Sequence, residues 1–258
     1  MVRVILHGCN GKMGRVLDGI ISKDEPDMQV VAGIDPFTGV NNPYPMFTSI
    51  DRCNVEADVI IDFAAAKAVD ALLDYALAHK VPVVLCTTGL SPEQIERVNE
   101  ASKSVAILRS ANMSLGINLL LQMLKKAAVV LNGSGFDIEI VERHHNQKLD
   151  APSGTAIALA DNINDALDHS LEYVFDRSQV RQKRDKKELG ISAVRGGNIV
   201  GDHEIIFAGL DEVIEFRHTA YSKAIFAKGA VSAAKYLYDK GPGLYDMQQV
   251  IAAQIGQE

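Results

Sequence analysis

The side chains of this chain best suited to acid–base chemistry lie in one stretch, ERHHNQKLDAPSGTA, from Glu142 to Ala156. It holds two adjacent histidines, His144 and His145, and Lys148 follows shortly after them. An imidazole exchanges a proton near neutral pH, and an ammonium group neutralises an anion or serves as a second proton source. We therefore predict that His144 and Lys148 converge on one small anionic substrate, with His144 as the proton donor.

The same histidine pair is also a candidate metal site. In an extended strand, however, His144 and His145 point to opposite faces, which disfavours binding of one ion by both. No cysteine or glutamate completes a ligand set at the spacing of a metal site, and we expect no metal. Considered without its neighbours, the pair is as compatible with a structural role as with catalysis.

The second half of the stretch, DAPSGTA, is typical of the start of a helix. A proline and a serine precede a Gly-Thr pair, and the first N–H groups of a helix have no partner within it. Such N–H groups lie at the positive end of the helix dipole and bind anions. We predict that Ser153, Gly154 and Thr155 bind a carboxylate of the substrate.

A glycine-rich loop, HGCNGKMG, has glycines at positions 8, 11 and 14. Glycine lets the backbone turn sharply, approach a pyrophosphate and pack a helix on a sheet, as a dinucleotide-binding loop requires. The spacing is G-x-x-G-x-x-G instead of G-x-G-x-x-G, so the glycines alone leave an ordinary strand–helix turn open. Asp35 favours a cofactor, because an acidic residue about twenty positions further on binds the adenosine ribose.

The residues after Asp35 bear on the choice between NADH and NADPH. Pro36 follows it, where an arginine could have held a 2′-phosphate, and the carboxylate would repel that phosphate. The sequence therefore favours NADH. Lys12 in the glycine loop could reach a 2′-phosphate, which leaves use of both cofactors open.

The elements that must position these residues follow from the pattern of the first hundred positions. Short β-branched runs (VRVILH, MQVVAGI, ADVIIDF, VPVVLCT, VAILRS) alternate with segments of helical period, and Ser91-Pro92 predicts a helix start. This alternation predicts an α/β fold with a Rossmann-type, doubly wound parallel sheet. Ligands bind at the carboxyl edge of such a sheet, where we expect the nicotinamide side to be lined by Thr87, Thr88 and the backbone of Ala111 and Asn112.

The pattern changes after position 114. A long apolar helix from Leu115 leads to the strand FDIEIVERHH, a helix from about Ser153 to Leu167 and three β-rich runs, ISAVRGG, HEIIFAG and EVIEFRHTA. Short gaps between these runs predict a second α+β domain with a mixed or antiparallel sheet. We place a dinucleotide-binding domain at 1–114, a substrate-binding domain at 115–222, and C-terminal helices that pack back on the first domain at 223–258.

Bulk composition excludes several classes of protein. A net charge of -7 disfavours nucleic acid and anionic membranes as partners. The three cysteines are too few and too scattered for a disulfide framework. The charged run RQKRDKKE predicts a solvated loop or helix face. We find no export signal, and the apolar runs fall short of roughly 18 residues, the length of a membrane span. We expect a cytoplasmic protein.

Five motifs carry a resemblance to a known family. GCNGKMG, CTTG, SANMSLGIN, ERHHNQKLDAPSGTA and FAKGA resemble those of dihydrodipicolinate reductase, also called 4-hydroxy-tetrahydrodipicolinate reductase, of bacterial lysine and diaminopimelate synthesis. The match covers essentially the whole chain, and the H-H-x-x-K-x-D-A-P-S-G-T block is its most specific part. The resemblance implies NADH- or NADPH-dependent reduction of a cyclic dicarboxylate by a homotetramer built through the sheet of the second domain.

The resemblance also assigns roles to individual positions. It implies that His144 is the general acid and Lys148 the second catalytic residue, that His145 contacts substrate, and that Gly154 and Thr155 hold a carboxylate. The cofactor contacts that it implies are Gly8, Cys9, Asn10, Gly11, Lys12, Met13, Asp35, Cys86, Thr87, Thr88, Ser110, Ala111, Asn112 and Met113.

Two positions depart from the family pattern. Cys86 stands where glycine usually precedes Thr-Thr, which changes little where only the backbone makes contact. Lys223 stands where an arginine usually precedes FAxGA, so we expect it near the cofactor without the bidentate contact of an arginine.

Two other functions stay open on the residues alone. An aldehyde or sugar dehydrogenase shares such a first domain, but a thioester-forming enzyme needs a cysteine in the second domain, and Cys9, Cys53 and Cys86 all lie in the first. The other is a non-catalytic NAD-binding sensor, which would have no use for His144, Lys148 and the anion-binding turn together.

Overall fold

The computed structural model describes residues 1–256 and divides the chain into two compact units. The first unit combines Met1–Leu115 with the segment that begins at Ala224, and the second unit is Gly116–Lys223.

The first unit is built on a seven-stranded parallel sheet. Its strands are β1 (Val2–His7), β2 (Met28–Ile34), β3 (Met46–Phe47), β4 (Val59–Asp62), β5 (Val83–Leu85), β6 (Ala106–Arg109) and β12 (Gly243–Tyr245). Their order is β12-β6-β5-β4-β1-β2-β3. The chain adds β2 and β3 on one side of β1 and then β4, β5 and β6 on its other side. This is the doubly wound, Rossmann-type order that the sequence predicts.

Helices cover both faces of this sheet, because its central strands are apolar on both sides. They are α1 (Lys12–Asp24), α2 (Val69–His79), α3 (Pro92–Ser102), α6 (Ala224–Leu237) and α7 (Met247–Gln254). One apolar cluster includes residues of α1, α6 and α7, and the other includes residues of α2 and α3. The predicted start of α3 is confirmed: Ser91 caps the helix and forms a capping box with Gln94.

The second unit contains a five-stranded mixed sheet, as predicted. Its strands are β7 (Asp137–His144), β8 (Glu172–Val174), β9 (Glu188–Arg195), β10 (Gly201–Ala208) and β11 (Val213–Ala220), in the order β11-β10-β7-β9-β8. Strand β7 is central, pairing parallel with β9 and antiparallel with β10. Helices α4 (Leu115–Gly133) and α5 (Gly154–Asp165) share an apolar core with one face of the sheet.

Helix α4 is long and apolar enough to cross a membrane by length and composition, with a mean hydropathy of 1.2 over its best window. The sequence prediction that no segment reaches this length is therefore too strict. One side of α4, with Leu120, Leu124 and Ala128, lies in the core of the second unit, and Lys125 and Lys126 interrupt its apolar run.

Several element boundaries differ from the prediction. Helix α5 ends at Asp165 instead of Leu167, because the N–H groups of Leu167 and His169 both bond to the Asn164 carbonyl. Helix α6 ends at Leu237, and the strand β12, which the sequence did not predict, follows it. The charged run RQKRDKKE is a mostly exposed loop, although Arg184 reaches back to Glu139 with a distance of 2.8 Å between Nε and Oε1.

Candidate active site

His144 is the last residue of β7, and its side chain is buried. Because side chains alternate along a strand, Glu142 and His144 lie on the same face of the sheet. The Oε2 atom of Glu142 lies 2.6 Å from Nδ1 of His144. The carboxylate therefore fixes the orientation of the imidazole and leaves Nε2 as the nitrogen that can exchange a proton with a substrate.

Glu142 is fully buried and ionised. Arg195, which neighbours His144 on β9, donates to both of its carboxylate oxygens at 2.8 and 2.7 Å, and the N–H of Ser153 donates to Oε1 at 2.9 Å. Burial alone would raise the pKa of Glu142, but the hydrogen bonds from Arg195, His144 and Ser153 outweigh it and hold the pKa below its ordinary value. A buried negative charge thus stands beside the imidazole.

A second buried histidine, His203 on β10, packs edge-on against His144 with 5.1 Å between ring centroids. Its Nε2 lies 3.0 Å from Oγ of Ser153. Burial, followed by the proximity of His144, lowers the pKa of His203 to about 4, so this ring is neutral at pH 7. The two imidazoles therefore differ in environment, since His144 has the carboxylate partner.

Gly201 leaves space next to Nε2 of His144, the ring nitrogen that Glu142 does not contact. A Cβ atom at position 201 would lie 3.1 Å from Nε2, which is closer than an ordinary contact. A side chain here would therefore press on the imidazole.

Ser153 is the N-cap of α5, and its hydroxyl accepts the N–H of Ala156 at 3.1 Å. Gly154 and Thr155 open the first turn of this helix, where a helix binds anions. A Cβ placed on Gly154 would meet no atom within 4 Å, so the backbone there is open to a ligand. The structure thus connects Ser153 to His144 through Glu142 and His203.

Lys148 is joined to Asp150 rather than to His144. Its Nζ lies 2.8 Å from Oδ1 of Asp150, and the hydrogen bond from Lys148 lowers the pKa of that carboxyl. The backbone N–H of Lys148 bonds to the His145 carbonyl at 3.1 Å, which closes the turn after β7. His145 itself is half-buried just beyond the strand.

In the first unit, the glycine loop follows β1 and forms a cradle with no room for side chains at two positions. Gly8 has a φ of +82°, in the left-handed region, and a Cβ on it would lie 2.8 Å from the Phe63 carbonyl oxygen. A Cβ on Gly14 would lie 2.3 Å from the Gly8 carbonyl oxygen. Helix α1 therefore starts close to the loop, with its N-terminus available to a phosphate.

Asp35, directly after β2, is connected to this loop. Its carboxylate accepts the N–H of Asn10 at 3.1 Å and that of Phe37 at 2.9 Å. A carboxylate has about four acceptor positions, so two remain for ribose hydroxyls. The loop is held further by Arg15, whose Nε donates to the Asn10 carbonyl at 3.0 Å.

The loops after β5 and β6 lie at the same edge of the sheet, since all strands are parallel. Thr87 is buried there, and its Oγ1 has no hydrogen-bond partner among residues 1–256. An unpaired buried hydroxyl at the expected nicotinamide side fits a ligand that supplies the missing bond. The residues present therefore fit a nicotinamide dinucleotide.

The other predicted cofactor residues differ in how far they are buried. Cys9 and Met113 have side chains in the apolar core, so that only their backbone is available to a cofactor. Cys86 and Met13 are half-buried, and burial, followed by the charge of Asp62, raises the pKa of the Cys86 thiol. The exposed or half-exposed positions are Gly11, Lys12, Thr88, Ser110, Ala111, Asn112 and Lys223.

Four residues near these sites were not assigned a role from the sequence. Glu142 was recognisable, because it stands two positions before His144 and shares its face. Arg15 carries a detectable signal as a basic residue in the first turn of α1. Arg195 and His203 lie on other strands, and only the strand pairing brings them to β7.

Within residues 1–256 no group of three or more His, Cys, Asp or Glu side chains is arranged to hold a metal ion.

Comparison with known proteins gives matches over both units. The family profile described as the N-terminus of dihydrodipicolinate reductase matches residues 2–113, and the profile of its C-terminus matches residues 116–251. A 4-hydroxy-tetrahydrodipicolinate reductase of Caldanaerobacter subterraneus subsp. tengcongensis is 50% identical over 97% of this chain and 98% of its own length. The enzyme of the same name from Clostridium novyi is 47% identical over 98% of this chain and 100% of its own length.

Among solved structures, a dipicolinate-bound dihydrodipicolinate reductase from Paenisporosarcina sp. TG-14 has a TM-score of 0.81 at 24% identity, over 95% of this chain and 97% of that one. This likeness shows a shared fold. Together with the profiles and the curated relatives, it shows that the chain belongs to the dihydrodipicolinate reductase family and is an oxidoreductase with a nicotinamide cofactor.

Proposed function

We propose that this enzyme reduces 4-hydroxy-tetrahydrodipicolinate to tetrahydrodipicolinate in lysine and diaminopimelate synthesis, with the 4-hydroxyl group leaving as water before or alongside the reduction to give dihydrodipicolinate as the imine that accepts the hydride. The observation that carries the proposal is the contact of 2.6 Å between Glu142 and His144, next to the start of α5. It supplies an oriented proton donor beside an anion-binding helix end. The substrate named for the relatives is a dicarboxylate that needs both.

The chemistry divides between the cofactor and residues of the second unit. When bound, the reduced nicotinamide supplies a hydride, which we assign to C4 of the cyclic unsaturated imine. His144 then gives the proton from Nε2 to the neighbouring carbon of the electron-rich enamine that results. Its ring stays oriented during this step because Nδ1 is held by Glu142.

The start of α5 and Lys148 bind the negative charge of the substrate. We assign one carboxylate to Ser153, Gly154 and Thr155, whose helix dipole favours an anion, and a supporting role in substrate contact to His145. Lys148 is already paired with a carboxylate, that of Asp150, at 2.8 Å. A substrate carboxylate therefore competes with Asp150 for the ammonium group, and Lys148 serves as charge partner or second proton source.

For the cofactor we propose NADH in preference to NADPH, bound by the first domain, 1–114, and used by the substrate domain, 115–222. Asp35 supports this preference because its negative charge opposes a 2′-phosphate. Lys12 and Arg15 lie in the first turn of α1 and supply positive charge, which favours some use of NADPH. We propose Lys223 as a further cofactor contact. We also propose that the enzyme is cytoplasmic.

The test is an assay at 340 nm in which purified protein, NADH and the product of the preceding synthase are mixed. We expect NADH oxidation, a higher kcat/KM with NADH than with NADPH, and transfer of deuterium from labelled NADH to C4. Tight NADH binding without turnover would instead indicate a sensor. A strong NADPH preference would contradict the role given to Asp35.

A further inference from the structure

The geometry points to Glu142 as a positioning residue that holds the proton donor and the substrate-binding helix start in one fixed arrangement. This inference rests on the proposed function, because it assumes that His144 is the acid. Glu142 touches neither substrate nor cofactor in this scheme and acts through the groups it holds.

The contacts of Glu142 reach three separate parts of the second unit. One oxygen, Oε2, contacts Nδ1 of His144 at 2.6 Å, and the other, Oε1, accepts the Ser153 N–H at 2.9 Å. Arg195 bridges both oxygens and also donates to the Asp150 carbonyl at 2.7 Å. A single carboxylate thus joins the end of β7, the start of α5 and the loop between them.

Only a carboxylate satisfies these partners. The Ser153 N–H and both Arg195 nitrogens are donors, and protonated His144 presents Nδ1–H as a further donor. Carboxylate oxygens accept from all of them. A glutamine amide has one oxygen and one NH2 group. In one orientation its NH2 group meets the donors of Arg195 and His144, and in the other it meets those of Arg195 and Ser153.

The negative charge has a second effect on His144. It stabilises the imidazolium form, which is the form that gives up the proton, and it keeps the proton on Nδ1 after the donation, so that Nε2 is free to be protonated again. His203 cannot take over this role, because it is neutral and contacts Ser153 and the edge of the His144 ring.

The test begins with Glu142→Gln, in the full chain with NADH and the imine substrate. We expect kcat to fall on the order of 100-fold, which is the lower range of a general-acid contribution, with a much smaller change in the KM for NADH. The alkaline limb of the pH–rate profile should move to lower pH, because less of the imidazole is protonated at a given pH. A merely structural role would leave the position of that limb unchanged.

Two further variants control for damage to the fold. Glu142→Asp keeps the charge and its acceptors, so it should restore part of kcat and the wild-type pH profile. Asp58→Asn is the matched control, since Asp58 is also a carboxylate paired with an arginine, at 2.8 Å from Arg3. The pKa of Asp58 is lowered as well, mainly by the hydrogen bond from Arg3. It lies before β4, at the amino edge of the first sheet, and its loss should leave kcat and the pH profile unchanged.

Comparison with His144→Gln separates this inference from the proposed function. If Glu142 acts on the proton transfer through His144, the kcat of the double variant is no lower than that of His144→Gln alone, whereas the KM for the imine substrate can still rise because the Ser153 contact is lost. A double variant whose fold loss of kcat equals the product of the two single losses would overturn the inference. A wild-type kcat and pH profile in Glu142→Gln would overturn it as well. Wild-type kcat in His144→Gln would instead contradict the proposed function itself.

Discussion

At the scale of residues, the second unit places two imidazoles side by side and gives them different surroundings. His144 lies against the buried carboxylate of Glu142, whereas His203 is buried against a serine hydroxyl and has its pKa lowered to about 4. A neutral His203 places no positive charge beside His144 when that ring is protonated. The two imidazoles therefore differ in charge behaviour because burial keeps His203 neutral at pH 7.

The depressed pKa of His203 predicts a pH dependence of stability. Below its ordinary value of 6.5 the unfolded chain binds a proton that the folded chain takes up only near 4, so stability is lost as the pH falls through this window. His203 alone should lower the free energy of unfolding by about 2 kcal/mol between pH 7 and pH 5. Urea unfolding at both pH values measures this loss.

His203→Gln provides the comparison, since its amide keeps a hydrogen bond to Ser153 and does not titrate. This variant should lose less stability than the wild type between pH 7 and pH 5. An equal loss in the two proteins would contradict the assignment. The pKa of His218 is also lowered, by burial, and contributes in the same direction in both proteins.

His144 and Lys148 could be singled out from the sequence because their types and spacing are unusual for a surface loop. The sequence did not reveal what holds them. The contact of Arg195 with Glu142 depends on the register of the parallel strands β7 and β9, which are separated along the chain by the 43 residues between His144 and Glu188. Likewise, the pairing of Lys148 with Asp150 depends on the fold of an irregular loop.

At the scale of elements, strand and helix alternation predicted the longer parts of both sheets. The elements that it missed are short: β3, β8 and β12 have two or three residues each, too few for a periodic pattern to show. Helix ends were displaced by local hydrogen bonds, as at Asn164 in the last turn of α5. The start of α5 was predicted well, because Ser153 and Gly154 carry a capping signal in their residue types.

The start of α5 gives a prediction for Ser153→Ala. The variant loses the N-cap hydrogen bond to Ala156 and the contact with His203, which should cost about 1 kcal/mol in the free energy of unfolding and raise the KM for the imine substrate several-fold. Thermal unfolding and steady-state kinetics measure the two effects.

Asp246→Ala is the matched control, because Asp246 caps α7 through the N–H groups of Gln248 and Gln249. It should cost a similar amount of stability without a change in KM. If both variants changed KM equally, the α5 start would have no special part in substrate binding.

At the scale of the whole molecule, the chain separates its two tasks between two units. Residues that fit a dinucleotide belong to the first unit, and His144 and the start of α5, which we propose as the proton donor and the carboxylate-binding site, belong to the second. The resemblance to the family leads us to propose a homotetramer built through the second sheet. The face of that sheet opposite α4 and α5 carries ion pairs, such as Arg143 with Glu204 at 2.7 Å, among apolar side chains such as Val194.

The assembly can be tested by light scattering on the purified protein, which should give the mass of four chains. Replacing Val194, which is 46% exposed, with aspartate should lower that mass, because it places a charge on the proposed contact face. A monomeric wild-type protein, or a tetramer unaffected by this change, would contradict the proposed interface.

The steady-state kinetics of His144→Gln with NADH and the imine substrate show whether His144 is the proton donor. If His144 donates the proton, kcat should fall by about 100-fold or more while the KM for substrate changes little. Binding of NADH, followed by its fluorescence, should match the wild type and show that the variant is folded. A kcat equal to that of the wild type would contradict the account.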